Sequence, residues 1–254
     1  MKNKVIKIFI SIIIIGILVW IAEKLLINDK PIEVANQQLL ENQEQIQEDI
    51  KDENEEYNVL VIGNSITIER DGIGMAASDQ YHDYYYFTQQ RLQQKYKNLK
   101  MNRISAIHWE ENRIIRSRTD WIKDNLTKDI ISDLDLVIFQ LGDNCVPTET
   151  FENSMTEMVN HVKTYSPNAE MVWVGMWFVN EERLNIMFEV SKKLGMKFVN
   201  ISDLVVEEYK SQIGQKVVGI DGKKDEIKTI EEAFHPNDAG MKAISDRIIE
   251  TLGI

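Results

Sequence analysis

The sequence predicts an α/β fold, a three-layer α/β/α sandwich around a mostly parallel sheet, preceded by an N-terminal transmembrane helix. Two observations predict the sandwich. Short runs at Asn58–Ile62, the weaker Lys100–Ile104, Leu134–Leu141, Glu170–Trp177 and Lys197–Ile201 read as mostly apolar on both faces, as strands buried on both sides require. The stretches between them are long enough for crossover helices, placed at Tyr84–Tyr96, Glu149–Tyr165, Glu181–Leu194 and Asn237–Leu252. In the last of these, Met241, Ile244, Ile248 and Leu252 keep helical spacing and form its buried stripe. The third observation concerns the chain start, where Ile8–Ala22 contains Ser11 as its one clearly polar residue.

That run is short for a bilayer span of about 20 residues. Val5, Ile6 and Leu25–Ile27 extend it, and Lys7 and Lys24 can snorkel. Lys2, Lys4 and Lys7 put this end in the cytoplasm by the positive-inside rule, and the remainder outside. The expectation is a single-pass cell-membrane protein with an extracytoplasmic domain, a cleaved secretory signal being the alternative. No small-x-small cleavage site follows Trp20. Residues 1–27 are thus read as the anchor, 28–56 as an acidic linker and 57–254 as the globular domain.

The linker carries ten acidic residues against Lys30 and Lys51, a segment charge of −8 within a chain total of −12. Most of the negative balance is therefore a solvated stalk. A chain of this sign repels nucleic acid, so nucleic-acid partners are excluded as a class. Cys145 is the single cysteine, so no intrachain disulfide forms, and it reads as a small buried residue. His82, His108 and His161 are scattered without the spacing of metal ligands, and no metal or cofactor is called for.

In open parallel sheets, ligands bind beyond the carboxyl ends of the strands. The first strand runs into Gly63-Asn64-Ser65, where a glycine permits a tight turn presenting the serine hydroxyl. Leu136–Leu141 runs into Gly142-Asp143-Asn144, whose amide suits either an oxyanion donor or an Asx turn. Near the C-terminus, His235 precedes Pro236, which suits a first helical position. A histidine at a helix N-terminus is held neutral, as a general base must be. Glu232, three residues earlier, is placed to orient the ring and stabilise imidazolium, although Glu-x-x-His also suits a helix cap beside a surface histidine.

These segments together resemble the SGNH hydrolases, or GDSL-type esterases, over nearly all of 57–254. Gly63-Asn64-Ser65 is similar to the first block, with Asn where many members have Asp, and implies Ser65 as nucleophile. Gly142-Asp143-Asn144 is similar to the third and implies Asn144 as oxyanion donor. Glu232-Ala233-Phe234-His235 is similar to the fifth, with Glu for the usual Asp. The second block departs, because its oxyanion-hole glycine has no counterpart, and Ile104–Glu110 stands in its place. The resemblance thus implies an oxyanion hole of the Ser65 N–H, a backbone N–H at Ala106 or Ser105, and Asn144. Gly74–Ser78 with Asp83-Tyr84 looks like a stretch of one bacterial branch and is expected to wall the pocket. Candidate substrate contacts are Asn64, Met75, Trp109 and Glu110.

The expected function is a serine esterase with a Ser65–His235–Glu232 triad, hydrolysing or transferring a short O-acyl group, acetyl or similar. Its partner would be an acyl ester on a cell-envelope or extracellular polysaccharide. The alternative is a non-catalytic glycan-binding or scaffold protein of the same fold, motivated by the missing glycine and the Glu-for-Asp exchange.

Overall fold

The computed structural model describes residues 17, 18, 20, 21, 55–70, 72–145 and 148–254. It divides into two compact units, Met1–Glu55 and Glu56–Ile254. In the first, Ile17, Leu18, Trp20 and Ile21 are helical. Among the described residues no helix is long and apolar enough to cross a membrane. The predicted anchor (1–27) and stalk (28–56) lie almost wholly outside the described residues.

The second unit opens with β1 (Tyr57–Gly63), α1 (Tyr84–Lys95) and β2 (Leu99–Ser105). Three short helices follow, α2 (Ile107–Glu111), α3 (Ile115–Asn125) and α4 (Lys128–Ile131), before β3 (Leu136–Gln140) and α5 (Phe151–Tyr165). Then come β4 (Glu170–Val174), α6 (Glu181–Lys193), β5 (Lys197–Val199) and a small antiparallel hairpin of β6 (Lys216–Val218) and β7 (Lys224–Glu226). The chain closes with α7 (Ile230–Ala233) and α8 (Asp238–Leu252).

Strands β1 to β5 form one wholly parallel sheet in the order β2-β1-β3-β4-β5. Because side chains alternate along a strand, each strand feeds two cores. Leu60, Ile62, Val137, Phe139 and Trp173 pack under α3, α5 and α6 with Ile122, Met158, Val162 and Met187. Val59, Val61, Ile138, Val172 and Val174 pack under α1 and α8 with Tyr84, Leu92, Met241, Ile244 and Ile248. The three layers predicted from doubly apolar runs are these. Asp83 caps α1 by accepting from the Tyr86 N–H, and Asn237 caps α8 by accepting from the Gly240 N–H.

Three predicted strands are longer than the observed ones, Lys197–Ile201 ending at Val199. Glu170–Trp177 ends as a strand at Val174, and Leu134–Leu141 narrows to Leu136–Gln140. The extra residues Met176, Trp177 and Leu141 are fully buried, so their apolarity reflects burial rather than pairing. Gly142, at φ +129°, turns the chain out of β3 in a conformation that a side chain strongly disfavours.

This strand order reverses its winding direction between β1 and β3. In such sheets that reversal opens the crevice where ligands bind. The segments after β1 and β3 hold Ser65 and Asn144.

Candidate active site

The turn after β1 is built by Asn64. Its backbone carbonyl accepts from Thr67 N (2.9 Å) and Ile68 N (3.0 Å), and its side-chain oxygen accepts from Ile66 N (3.1 Å). Ser65 sits inside this turn, 7% exposed, with its carbonyl held by the Met75 N–H at 2.8 Å. Its Oγ lies 2.9 Å from Nε2 of His235, 170 residues away in sequence.

His235 is fixed on its far side as well. Nδ1 lies 2.9 Å from the Glu231 carbonyl oxygen. A carbonyl only accepts, so in the neutral ring Nδ1 carries the proton and Nε2 presents its lone pair to the Ser65 hydroxyl. The Phe178 ring meets the imidazole edge to face at 4.9 Å. Trp177 Nε1 donates to the Phe234 carbonyl at 2.7 Å, tying the loop before the histidine to the loop after β4.

Burial pushes the His235 pKa below its ordinary value of 6.5, outweighing the Glu231 carbonyl and the nearby charges of Asp143 and Glu232, which favour the cation. A base that works neutral loses activity as pH falls through its own pKa. The acid limb of kcat/KM against pH is therefore expected to have its midpoint below 6.5. A midpoint above that value in a pH–rate profile would count against a buried His235 base.

Several sequence expectations need correction. The Glu232 carboxylate does not reach His235 Nδ1: Oε2 accepts from the backbone N–H of Lys228 (2.6 Å) and Thr229 (3.3 Å), and Oε1 pairs with Arg70 at 3.0 Å. Its place is taken by the fit of Thr229 and Glu232 as a capping box on α7, a stronger local demand than a neighbouring imidazole. Pro236 is not a first helical residue, because α8 begins at Asp238 behind the Asn237 cap, so burial rather than a helix end keeps His235 neutral.

The Ala106 N–H is spent on the Gly63 carbonyl at 2.7 Å, which removes it as an oxyanion donor. Ser105 is the last residue of β2, paired with Gly63. Asn64, Trp109 and Glu110, expected as substrate contacts, are all fully buried. Asn64 instead ties the turn to Asp143 (Nδ2 to Oδ2, 2.9 Å) and Glu110 (3.4 Å), while Trp109 packs in the core. Met75 is half-buried, its sulfur 3.9 Å from Arg70 Nη2. Asn144 is half-buried after β3, its Nδ2 donating to Glu110 Oε2 at 2.9 Å. Cys145 is buried, and burial drives its thiol pKa upward, away from reactivity.

Glu232→Gln is accordingly expected to change kcat/KM by less than ~10-fold, where loss of a histidine-orienting carboxylate costs about 10⁴. It should lower stability by about 1 kcal/mol through the cap and the Arg70 pair. Parallel kinetics and thermal unfolding separate the two roles.

Sequence reasoning missed the Glu231 carbonyl, Asp143, Phe178 and Arg70. Backbone acceptors leave no residue-type signal. Asp143 was visible inside the third block, yet its task appears only in space: it accepts from Asn64, from Gln140 (3.0 Å) and from the Phe178 N–H (2.8 Å).

No family model and no curated protein sequence matches the chain. Solved structures do. A two-domain esterase active on acetylated mannans superposes with a TM-score of 0.55 at 15% identity, covering 83% of this chain and 52% of that one. A protein described as a GDSL-like lipase, from Parabacteroides merdae, gives 0.54 at 16% identity over 78% of this chain and 95% of that one. The lipase Lip_vut3 from a goat rumen metagenome gives 0.52 at 8% identity over 77% and 97%. The chain spans about half the length of the two-domain esterase. At these identities the likeness establishes a shared fold, the α/β fold on which GDSL-type esterases and lipases are built.

Proposed function

We propose that this chain is a serine esterase in which His235 activates Ser65 for attack on an acyl ester. The observation that carries the proposal is the 2.9 Å contact between Ser65 Oγ and His235 Nε2, with Nδ1 held by the Glu231 carbonyl, at the β1/β3 reversal.

In this reading Nε2 takes the Ser65 proton as Oγ bonds to the ester carbonyl carbon, and the imidazolium then returns that proton to the departing alcohol. Water, deprotonated by the same nitrogen, attacks the acyl-Ser65 carbonyl, and its proton goes back to Ser65 as the acid leaves. A carbohydrate hydroxyl in the place of that water would make the same site a transferase. The Asn144 amide supports oxyanion stabilisation. The second donor is a backbone N–H other than that of Ala106. The Glu231 carbonyl holds the ring where a triad would use a carboxylate.

As substrate we propose a short O-acyl group, acetyl first, on an extracellular or envelope polysaccharide. The fold shared with an esterase active on acetylated mannans supports this. So do the lysines and apolar run of residues 2–22, which favour a membrane-tethered domain outside the cytoplasm. The experiment uses the full chain with nitrophenyl acetate, acetylated polysaccharides and a fluorophosphonate probe. Hydrolysis and labelling that both vanish in Ser65→Ala are expected; either one persisting there defeats the assignment.

One observation favours a second reading. The Ala106 N–H is committed to Gly63 and, among the described residues, no carboxylate meets His235 Nδ1, which would suit a glycan-binding protein without turnover. An inert wild type that still binds acetylated glycan would select it.

A further inference from the structure

Beneath the Ser65 turn, three N–H groups from two separate segments converge on one buried carboxylate. Glu110, fully buried on α2, receives the Gly142 backbone N–H and Asn64 Nδ2 (3.4 Å) on Oε1, and Asn144 Nδ2 (2.9 Å) on Oε2. Burying a carboxylate is expensive unless it is hydrogen-bonded, and a core of this kind would be filled more cheaply by an apolar side chain. The three partners are not scattered. Asn64 precedes Ser65, and Gly142 and Asn144 flank the turn after β3, so Glu110 clasps together the two loops that meet at the reversal point.

We infer that Glu110 is a positioning residue that dictates which end of the Asn144 amide faces it, and so keeps an N–H of Asn144 available to the oxyanion. The inference rests on the esterase reading for the role of that N–H, but the hold itself does not. Burial and the neighbouring Asp143 charge push the Glu110 pKa up to about 7, and above that pH the ionised carboxylate only accepts. Facing it, Asn144 has to turn its nitrogen inward, and one Nδ2 hydrogen satisfies Glu110 while the second remains to be shared. Glutamine has the same shape and the opposite consequence. Its own NH₂ would confront a donor at Gly142 or Asn144, and the conflict is relieved when the Asn144 amide turns over, presenting its oxygen to Gln and withdrawing the nitrogen. A residue that merely filled space would tolerate this exchange.

The test is a double-mutant cycle in the full chain, read as kcat and KM on nitrophenyl acetate. Glu110→Gln and Asn144→Ala are each expected to lower kcat about 10²-fold, as loss of one oxyanion donor does, with KM little changed. The double variant should be no worse than Asn144→Ala within about twofold, since Glu110 acts through Asn144. Multiplying losses, or Glu110→Gln at wild-type activity, would overturn the inference. Because Glu110→Gln disturbs a buried cluster, a second measurement uses the folded wild type. Of the two Asn144 side-chain amide protons, identified in NMR spectra by their disappearance in Asn144→Ala, the one on Glu110 should be protected from solvent exchange and the other should exchange faster. Two protons that exchange equally freely overturn the hold. If wild type hydrolyses no ester, the esterase reading fails, and the amide measurement still decides whether Glu110 holds Asn144.

Discussion

Alanine at either Ser65 or His235 is expected to lower kcat/KM on a short acyl ester by about 10⁴–10⁶-fold, and the double variant is expected to be no worse than either single one. The two side chains act as a unit. Without the 2.9 Å contact, the hydroxyl has no base, and without the hydroxyl the base has no proton to take. Stability should barely respond to Ser65→Ala, which removes a hydrogen bond worth about 1 kcal/mol. A purified variant that unfolds within about 2–4 °C of wild type and has no turnover therefore isolates chemistry from folding. Losses that multiply across the pair would mean that Ser65 and His235 contribute independently, and the proposed proton transfer between them would have to be abandoned.

Gly63→Ala is expected to be the most damaging Gly→Ala exchange among the described glycines. A Cβ at position 63 would stand 1.8 Å from Thr67 Oγ1 and 2.5 Å from Thr67 Cβ. Thr67 cannot retreat cheaply: it is fully buried, and its hydroxyl is bound to the Tyr84 hydroxyl at 2.6 Å and to Gln140 Oε1 at 3.3 Å. Overpacking costs about 1–3 kcal/mol, and breaking buried hydroxyl contacts adds a similar amount. The sum is a large share of the roughly 5–15 kcal/mol that holds a domain together. Chemical denaturation should show the loss, and any folded remainder should have reduced kcat, because the strain enters the turn that carries Ser65. Unchanged stability would show that the turn is looser than its contacts imply.

The sheet was legible because burial on both faces writes an unbroken apolar run, as in Leu136–Phe139, and because α8 carries a clean buried stripe. The region 107–131 was not. Helix α3 buries Arg118 and Ile122 and little else, so it has almost no apolar period to read. Ser65 and His235 were found through short motifs at strand and helix ends. Glu232 was misassigned for a physical reason: proximity in sequence suggests a partner for His235, but the free N–H groups at the start of α7 lie nearer and claim the carboxylate. Gly63 was recognised as special, yet for its turn, whereas the structure requires it because Thr67 folds back over it. Buried polar clusters such as that around Glu110 have no sequence period at all, since their members meet only after folding.

The separation of 170 residues between Ser65 and His235 has a bearing on time as well as on space. Ser65 lies in the turn after β1 and His235 in the turn that precedes α8. During synthesis Ser65 emerges 170 residues before His235, so for most of the chain's emergence it has nothing to deprotonate it. Closing so long a loop is also among the slower events on a folding route. In the proposed esterase the Ser65–His235 pair therefore exists only once the segment just before α8 is in place.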